Sequence, residues 1–235
     1  QAVRSVHAHL SSFDDHEIIN NWVSDAANWK MDLQGNDPDA APADVFMLKK
    51  QAALQAWYEH MPVRKALLPR GGMIAMNREF RYGDLMAMQL LDTRQYRTDQ
   101  PCGDGFKPAC SDVFAKDRQV LGKAQEEWLG RNLARGGAMW NTLAQQVTMM
   151  SLDRRRRPDE TQKILNIDSW AGYEEPRQRI LSRFAGLKNC IVLTGDEHQN
   201  FCGDLVQRDK VVGAEFVATS ISSGGDGSDK RSGTD

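Results

Sequence analysis

The chain has 235 residues, 30 basic and 32 acidic, with a net charge of -2 and 40% hydrophobic residues. That length makes one large domain the default, with two small ones the alternative, and the balanced charge excludes a gross field for nucleic acid or membrane. Mean hydropathy is -0.58, and no apolar run approaches the ~18 residues of a membrane-spanning helix, so no transmembrane segment is expected. The first residue is Gln1, in what reads as mid-domain sequence without a signal-peptide pattern, so an incomplete portion of a longer domain is expected.

Val3, Val6 and Leu10 recur at helical spacing and predict the tail of a helix over residues 1–10, with His7 and His9 at its surface. Next comes Phe13-Asp-Asp-His-Glu17, four ionisable residues hemmed in by Phe13, Ile18, Ile19 and Trp22. Apolar flanks pull such a cluster inward, where charge needs a cation or hydrogen bonds to compensate it. A metal is one solution; an N-capping acid pair opening a helix is the other.

Residues 32–43 read as a polar loop. Asp44 then caps a helix to about Tyr58, with Val45, Leu48, Ala52 and Ala56 on one face. After an irregular stretch over 63–75, two strands follow from Asn77, joined by a tight turn at Gly83-Asp84. The second strand ends in Leu91-Asp-Thr-Arg-Gln-Tyr-Arg97. Loops leaving strand ends are where α/β proteins assemble sites. There Arg94 or Arg97 could fork onto a phosphate or carboxylate, or pair with Asp92.

Cys102 and Cys110 lie in a Gly/Pro/Asp-rich loop, where a local disulfide could act as a staple. Cys190 reads as a buried thiol, and Cys202 as buried filler or a thiol near a metal. Gly122 precedes a helix with Ala124, Trp128, Leu129 and Leu133 inward, stopped by Gly136-Gly137. Trp140 to Met150 predicts a strand. The arginine run over 154–157 is neutralised by Asp153, Asp159 and Glu160, so it reads as a solvated loop rather than a nucleic-acid patch.

Asp168-Ser-Trp-Ala-Gly-Tyr173 opens a further helix with Ile180, Leu181, Phe184 and Leu187 inward. It leads into the apolar run Ile191-Val-Leu193, ended by Gly195 and followed by Asp196 and His198. A hard oxygen beside an imidazole suits iron, manganese or zinc; a turn of solvated polar residues is the plain alternative. Val211 to Ser220 predicts the last strand. Strands alternating with helices point to an α/β domain with layered sheets.

Six segments in order resemble the alkaline phosphatase D (PhoD-like) family of calcineurin-like metallophosphoesterases. They are Phe13-Asp-Asp-His-Glu17 with Asn20-Asn21, Leu91-Asp-Thr-Arg-Gln-Tyr-Arg97, Leu121-Gly-x-x-Gln125-x-x-Trp-Leu129, Asp168-x-Trp-x-Gly-Tyr173, Leu193-Thr-Gly-Asp-x-His198 and Thr219-Ser-Ile-Ser-Ser223. The resemblance implies a four-layer αββα sandwich, here an incomplete portion forming a single catalytic domain over 1–235. It also implies metal-dependent hydrolysis of phosphate mono- and diesters, with iron and calcium as cofactors and export to the periplasm or outside the cell. Asp15, Asp196 and His198 are then expected metal ligands, His16 the catalytic histidine, and Arg94 a substrate-binding residue. Asn20 and Asn21 are open as ligands or supporting donors. The partner implied is a phosphate ester, without stable nucleic-acid binding. A phospholipase-type phosphodiesterase and an inactive metal-binding fragment are the alternatives. Departures are the absence of the family's early metal-binding motifs from residues 1–13, Phe13 for the more usual Trp, and Ala171 for the usual Asp.

Overall fold

The computed structural model describes residues 6–24, 43–220 and 225. Four short strands run parallel: β2 (Met86–Leu90), β4 (Trp140–Ala144), β6 (Cys190–Thr194) and β8 (Lys210–Val217). Two antiparallel strands close the edges, β1 (Arg78–Tyr82) on β2 and β7 (Phe201–Gln207) on β8, giving the order β1-β2-β4-β6-β8-β7. A separate two-stranded piece pairs β3 (Phe106–Pro108) with β5 (Ile164–Asn166). Among the described residues the α-helices are α1 (Ala43–His60), α2 (Gly122–Arg135) and α3 (Glu174–Phe184).

Successive side chains on a strand point to opposite faces, and the two apolar cores follow that rule. Leu143 and Val192 pack with Leu129 and Leu133 of α2 and Ile180, Leu181 and Phe184 of α3. Leu90 and Ala144 pack instead with Phe46, Leu54 and Trp57 of α1 and with Phe13, Ile18 and Trp22 of the N-terminal segment. The sheet is therefore covered on both faces, as parallel strands require. The α/β class is the expected one. Among the described residues one large sheet is present, a part of the four-layer arrangement.

Several elements differ from expectation for reasons that can be named. The inward face of α1 is Phe46, Lys50, Leu54 and Trp57, while Val45, Leu48, Ala52 and Ala56 are exposed. A lysine in the stripe disguised it: Lys50 is fully buried, donates to the Ser24 carbonyl at 2.7 Å and lies 5.0 Å from the Trp22 ring centroid. On α2, Gln125 takes the buried place expected for Ala124. Gly122 begins that helix at φ +70°, where a Cβ would lie 2.9 Å from the Tyr96 Cβ.

The fourth strand stops at Ala144 instead of Met150, because Gln145, Gln146 and Thr148 turn to hydrogen bonds outside the ladder. β7 is an addition. Its Gly203 and Asp204 weaken any strand signal, yet it pairs with β8 through a two-residue turn in which Arg208 and Asp209 both have positive φ. A Cβ at Gly203 would lie 2.7 Å from the Met150 sulfur, so a larger residue would have to displace that side chain. Cys202, on this strand, is exposed rather than buried, and Cys190 is buried as expected. The expected helical tail over 1–10 falls partly, and the loop over 32–43 almost wholly, outside the described residues.

Candidate metal centre

The parallel strands all point their C-terminal ends the same way, so the loops after β2 (91–97), β4 (145–150), β6 (195–200) and β8 (218–220) gather at one edge. The N-terminal segment is fastened across this edge. Gln146 Nε2 donates to Ser12 Oγ at 2.5 Å and to the Leu91 carbonyl at 2.9 Å, while its Oε1 accepts from Thr93 N–H at 3.0 Å. Ser24 N–H donates to the Arg94 carbonyl at 3.0 Å.

Within the strap, Phe13 and Trp22 are both 1% exposed and, with Trp57, form an aromatic cluster below residues 14–17. No helix opens there. Instead the Asp15 carbonyl accepts from Ile18 and Ile19 N–H, both at 2.9 Å, and its carboxylate accepts from His16 N–H at 2.7 Å and Asn21 N–H at 2.9 Å. The turn splits the motif. Asp15 is buried and Asp14 half-buried, while His16 and Glu17 stay exposed.

Asp196 reaches the same place from the end of β6. One carboxylate oxygen from each of Asp14, Asp15 and Asp196 lies within 4.8 Å of the other two. Arg94 is the counterion. It is fully buried, with Nε 2.6 Å from Asp14 Oδ1 and Nη1 2.9 Å from Asp168 Oδ2. Its Nη2 lacks a hydrogen-bond partner and lies 3.9 Å from Asp15 and 4.0 Å from Asp196. Asp168 also receives Arg97 Nη1 at 3.1 Å and Gln100 Nε2 at 2.7 Å. Asp92, the other partner open to Arg94, instead caps the loop by accepting the Arg94 and Gln95 N–H groups, both at 3.0 Å.

These contacts set the protonation balance. Burial drives the Asp196 carboxyl up to about 8, Asp14's charge adds to the shift, and Arg94 opposes it. Burial likewise raises Asp14, against the pull of Arg94. At Asp168 burial acts upward too, but Arg94 and Arg97 outweigh it and hold the carboxyl below its usual value. Three crowded carboxylates share one guanidinium with Asp168, so the centre is short of positive charge. All three donors are hard oxygens, the class preferred by calcium, magnesium and manganese. The residues fit a hard cation, with Asp14, Asp15 and Asp196 as its holders.

Asp15 and Asp196, expected from sequence, are thus brought together. His16 stands beside them, Nε2 3.9 Å from Asp15 Oδ2 and 3.2 Å from Asn20 Oδ1. His198 is exposed and is not in the group of three. Two participants were not singled out from sequence: Asp14, visible within the acidic motif, and Asp168, whose only signal was its place in an aromatic turn. Asp104 was also unmarked. Its carboxylate accepts from Asn21 Nδ2 at 2.6 Å, and burial raises its pKa. It lies in the loop closed by a Cys102–Cys110 disulfide.

The sequence model of the PhoD-like phosphatases matches residues 1–235. Alkaline phosphatase D of Bacillus subtilis (strain 168) is 41% identical over 231 residues, which cover 95% of this chain and 37% of that protein. A solved structure of PhoD superimposes with a TM-score of 0.81 at 39% identity, covering 93% of this chain and 41% of that one. The chain therefore spans about two fifths of the length of these relatives.

Proposed function

The chain belongs to the PhoD-like phosphatase family, and from that membership we propose that its acidic centre serves metal-dependent hydrolysis of phosphate mono- and diesters. The observation that carries the reading is the convergence of Asp14, Asp15 and Asp196 within 4.8 Å, at the edge where four strand-end loops meet. The metals proposed are iron and calcium, held by Asp14, Asp15 and Asp196, with His198 a further ligand recruited from the same loop. When bound they supply Lewis acidity toward the phosphoryl oxygens and a lowered pKa for a water.

The chain's own residues supply the rest. Asp14 and Asp168 occupy two nitrogens of Arg94 and leave Nη2 facing the carboxylates. Arg94 therefore acts from within the centre, offering one nitrogen to a phosphoryl oxygen as charge develops there. His16 is exposed and adjoins Asp15, a position from which its imidazole donates a proton to the leaving alcohol. Asn20 and Asn21 support this pair, one at the imidazole and one at the carboxylate. A phosphate ester is the partner proposed. A periplasmic or extracellular location is supported by the Cys102–Cys110 disulfide, a bond that persists in oxidising compartments. Arg154, Arg155 and Arg157 pair with Glu197, Asp153 and Glu160, which favours a solvated loop over a nucleic-acid patch.

The test is metal content by plasma mass spectrometry, with hydrolysis of an aryl phosphate and a bis-aryl phosphate, on the longer protein and on this chain. Asp196→Ala is expected to lower both by more than the ~10–100-fold that loss of a ligand's supporting partner costs. Full metal content and unchanged turnover in that variant would remove the cluster from the chemistry.

A further inference from the structure

Asp196 sits at the apex of a three-residue turn. The Glu197 N–H donates to the Gly195 carbonyl at 2.8 Å, and Asp196 has φ +67°. A γ-turn with positive φ at its centre is the rare, strained kind. His198 follows at φ +52°. Two non-glycine residues in left-handed conformations within three positions persist only where the surroundings over-determine them.

The residue between them supplies that hold. Glu197 turns inward, its side chain 4% exposed, and its carboxylate is gripped from three separate segments. Arg154 Nη2 lies 2.8 Å from Oε2; Thr148 Oγ1, after β4, donates to Oε1 at 3.2 Å; Asn166 Nδ2, at the end of β5, donates to Oε1 at 3.3 Å. Arg154 is itself fixed, its guanidinium 5.3 Å from the Phe106 ring centroid and 5.5 Å from that of Phe201.

We propose that Glu197 is a positioning residue. Clamped by Arg154, Thr148 and Asn166, it holds the strained turn that delivers Asp196 to Asp14 and Asp15, and so sets the cation affinity of the centre. The affinity part of this inference rests on the metal-dependent reading above; the clamp itself does not.

The experiment combines two readouts on the same protein. Hydrogen exchange across residues 195–200 is followed in the metal-free state, and Ca2+ and Mn2+ are each titrated alone by calorimetry. Glu197→Ala is expected to speed exchange across 195–200 with little change elsewhere, and to weaken cation binding about 10–100-fold. Glu197→Gln keeps an acceptor for Thr148 and Asn166 but turns an amide N–H toward Arg154, so it should recover only part of the affinity. Arg154→Ala, which loses the same grip, should also lie between Glu197→Ala and the parent. Parent-like exchange and affinity in Glu197→Ala would overturn the proposal. If that variant does not fold, Arg154→Ala decides on the same two readouts. If the parent protein binds neither ion, the metal-dependent reading fails, and exchange alone judges the clamp.

Discussion

Arg94, Arg97 and Asp168 illustrate what single residues disclose. In the sequence the arginines stand in a polar burst after a strand, a context suited to phosphate, carboxylate or a neighbouring acid. Their shared partner, Asp168, lies more than 70 residues away. Its place in an aromatic turn does not disclose that pairing, because a contact made across the fold leaves no periodicity behind. The geometry gives Asp168 a task beyond neutralisation, since it orients two fully buried guanidinium groups, one of which reaches Asp14. Removing one partner of a buried ionic group strands the others and costs about 3–5 kcal/mol. Asp168→Asn is accordingly expected to lower unfolding free energy by that amount, read from urea titration. Loss of less than about 1 kcal/mol, the usual worth of an exposed pair, would mean that water reaches the arginines.

At the scale of elements, strands marked by an apolar run or by alternation up to a turn were legible: β1, β2, β6 and β8 appear close to their expected places. The faces and ends of elements were harder. Lys50 hid the inward stripe of α1, and Gly203 hid β7. The residues after β4 looked strand-like because they are buried, but the N–H groups of Met149 and Met150 are satisfied by a side chain. Glu215 of β8 accepts from Met149 N–H at 2.8 Å, Met150 N–H at 2.6 Å and Thr194 Oγ1 at 2.6 Å. Glu215→Ala leaves the two N–H groups buried without an acceptor and should cost about 2–4 kcal/mol. Glu215→Gln keeps one oxygen for both, 3.0 and 2.6 Å from the Met149 and Met150 N–H groups, but sets its amide against the Met149 N–H, so its cost should be smaller than that of Glu215→Ala without vanishing.

The same residue makes a pH prediction. Burial raises Glu215 above the ordinary 4.5, against hydrogen bonds from Thr194, Met149 and Met150. The folded state then holds a proton that the unfolded chain has released, so stability falls as pH rises from about 4.5 through the folded pKa. Unfolding free energy followed across that window should show a downward slope that Glu215→Gln removes. An unchanged slope in that variant would assign the proton to another group.

For the whole molecule, the α/β class was readable from the alternation of strands and helices, and the order of segments from six motifs that follow one another along the chain; the acidic centre was readable only in part, because its coherence depends on the strap over residues 6–24 meeting the strand ends. The disulfide loop is one device that holds this meeting together. Closing a loop of eight residues' separation removes chain entropy worth about 2.5 kcal/mol. The same loop carries Asp104, which holds the Asn21 side chain, while the Asn21 N–H holds Asp15. Gln100, two residues before Cys102, grips both the Asn21 carbonyl and Asp168. A Cys102→Ser/Cys110→Ser variant should therefore lose about 2.5 kcal/mol of stability and also bind Ca2+ more weakly than its stability alone would dictate. Comparing thermal unfolding with calcium titration separates the two effects. A fall in stability at unchanged affinity would make the loop a staple for β3 and β5 alone, whereas a fall in both would extend the support of Asp15 outward to the disulfide.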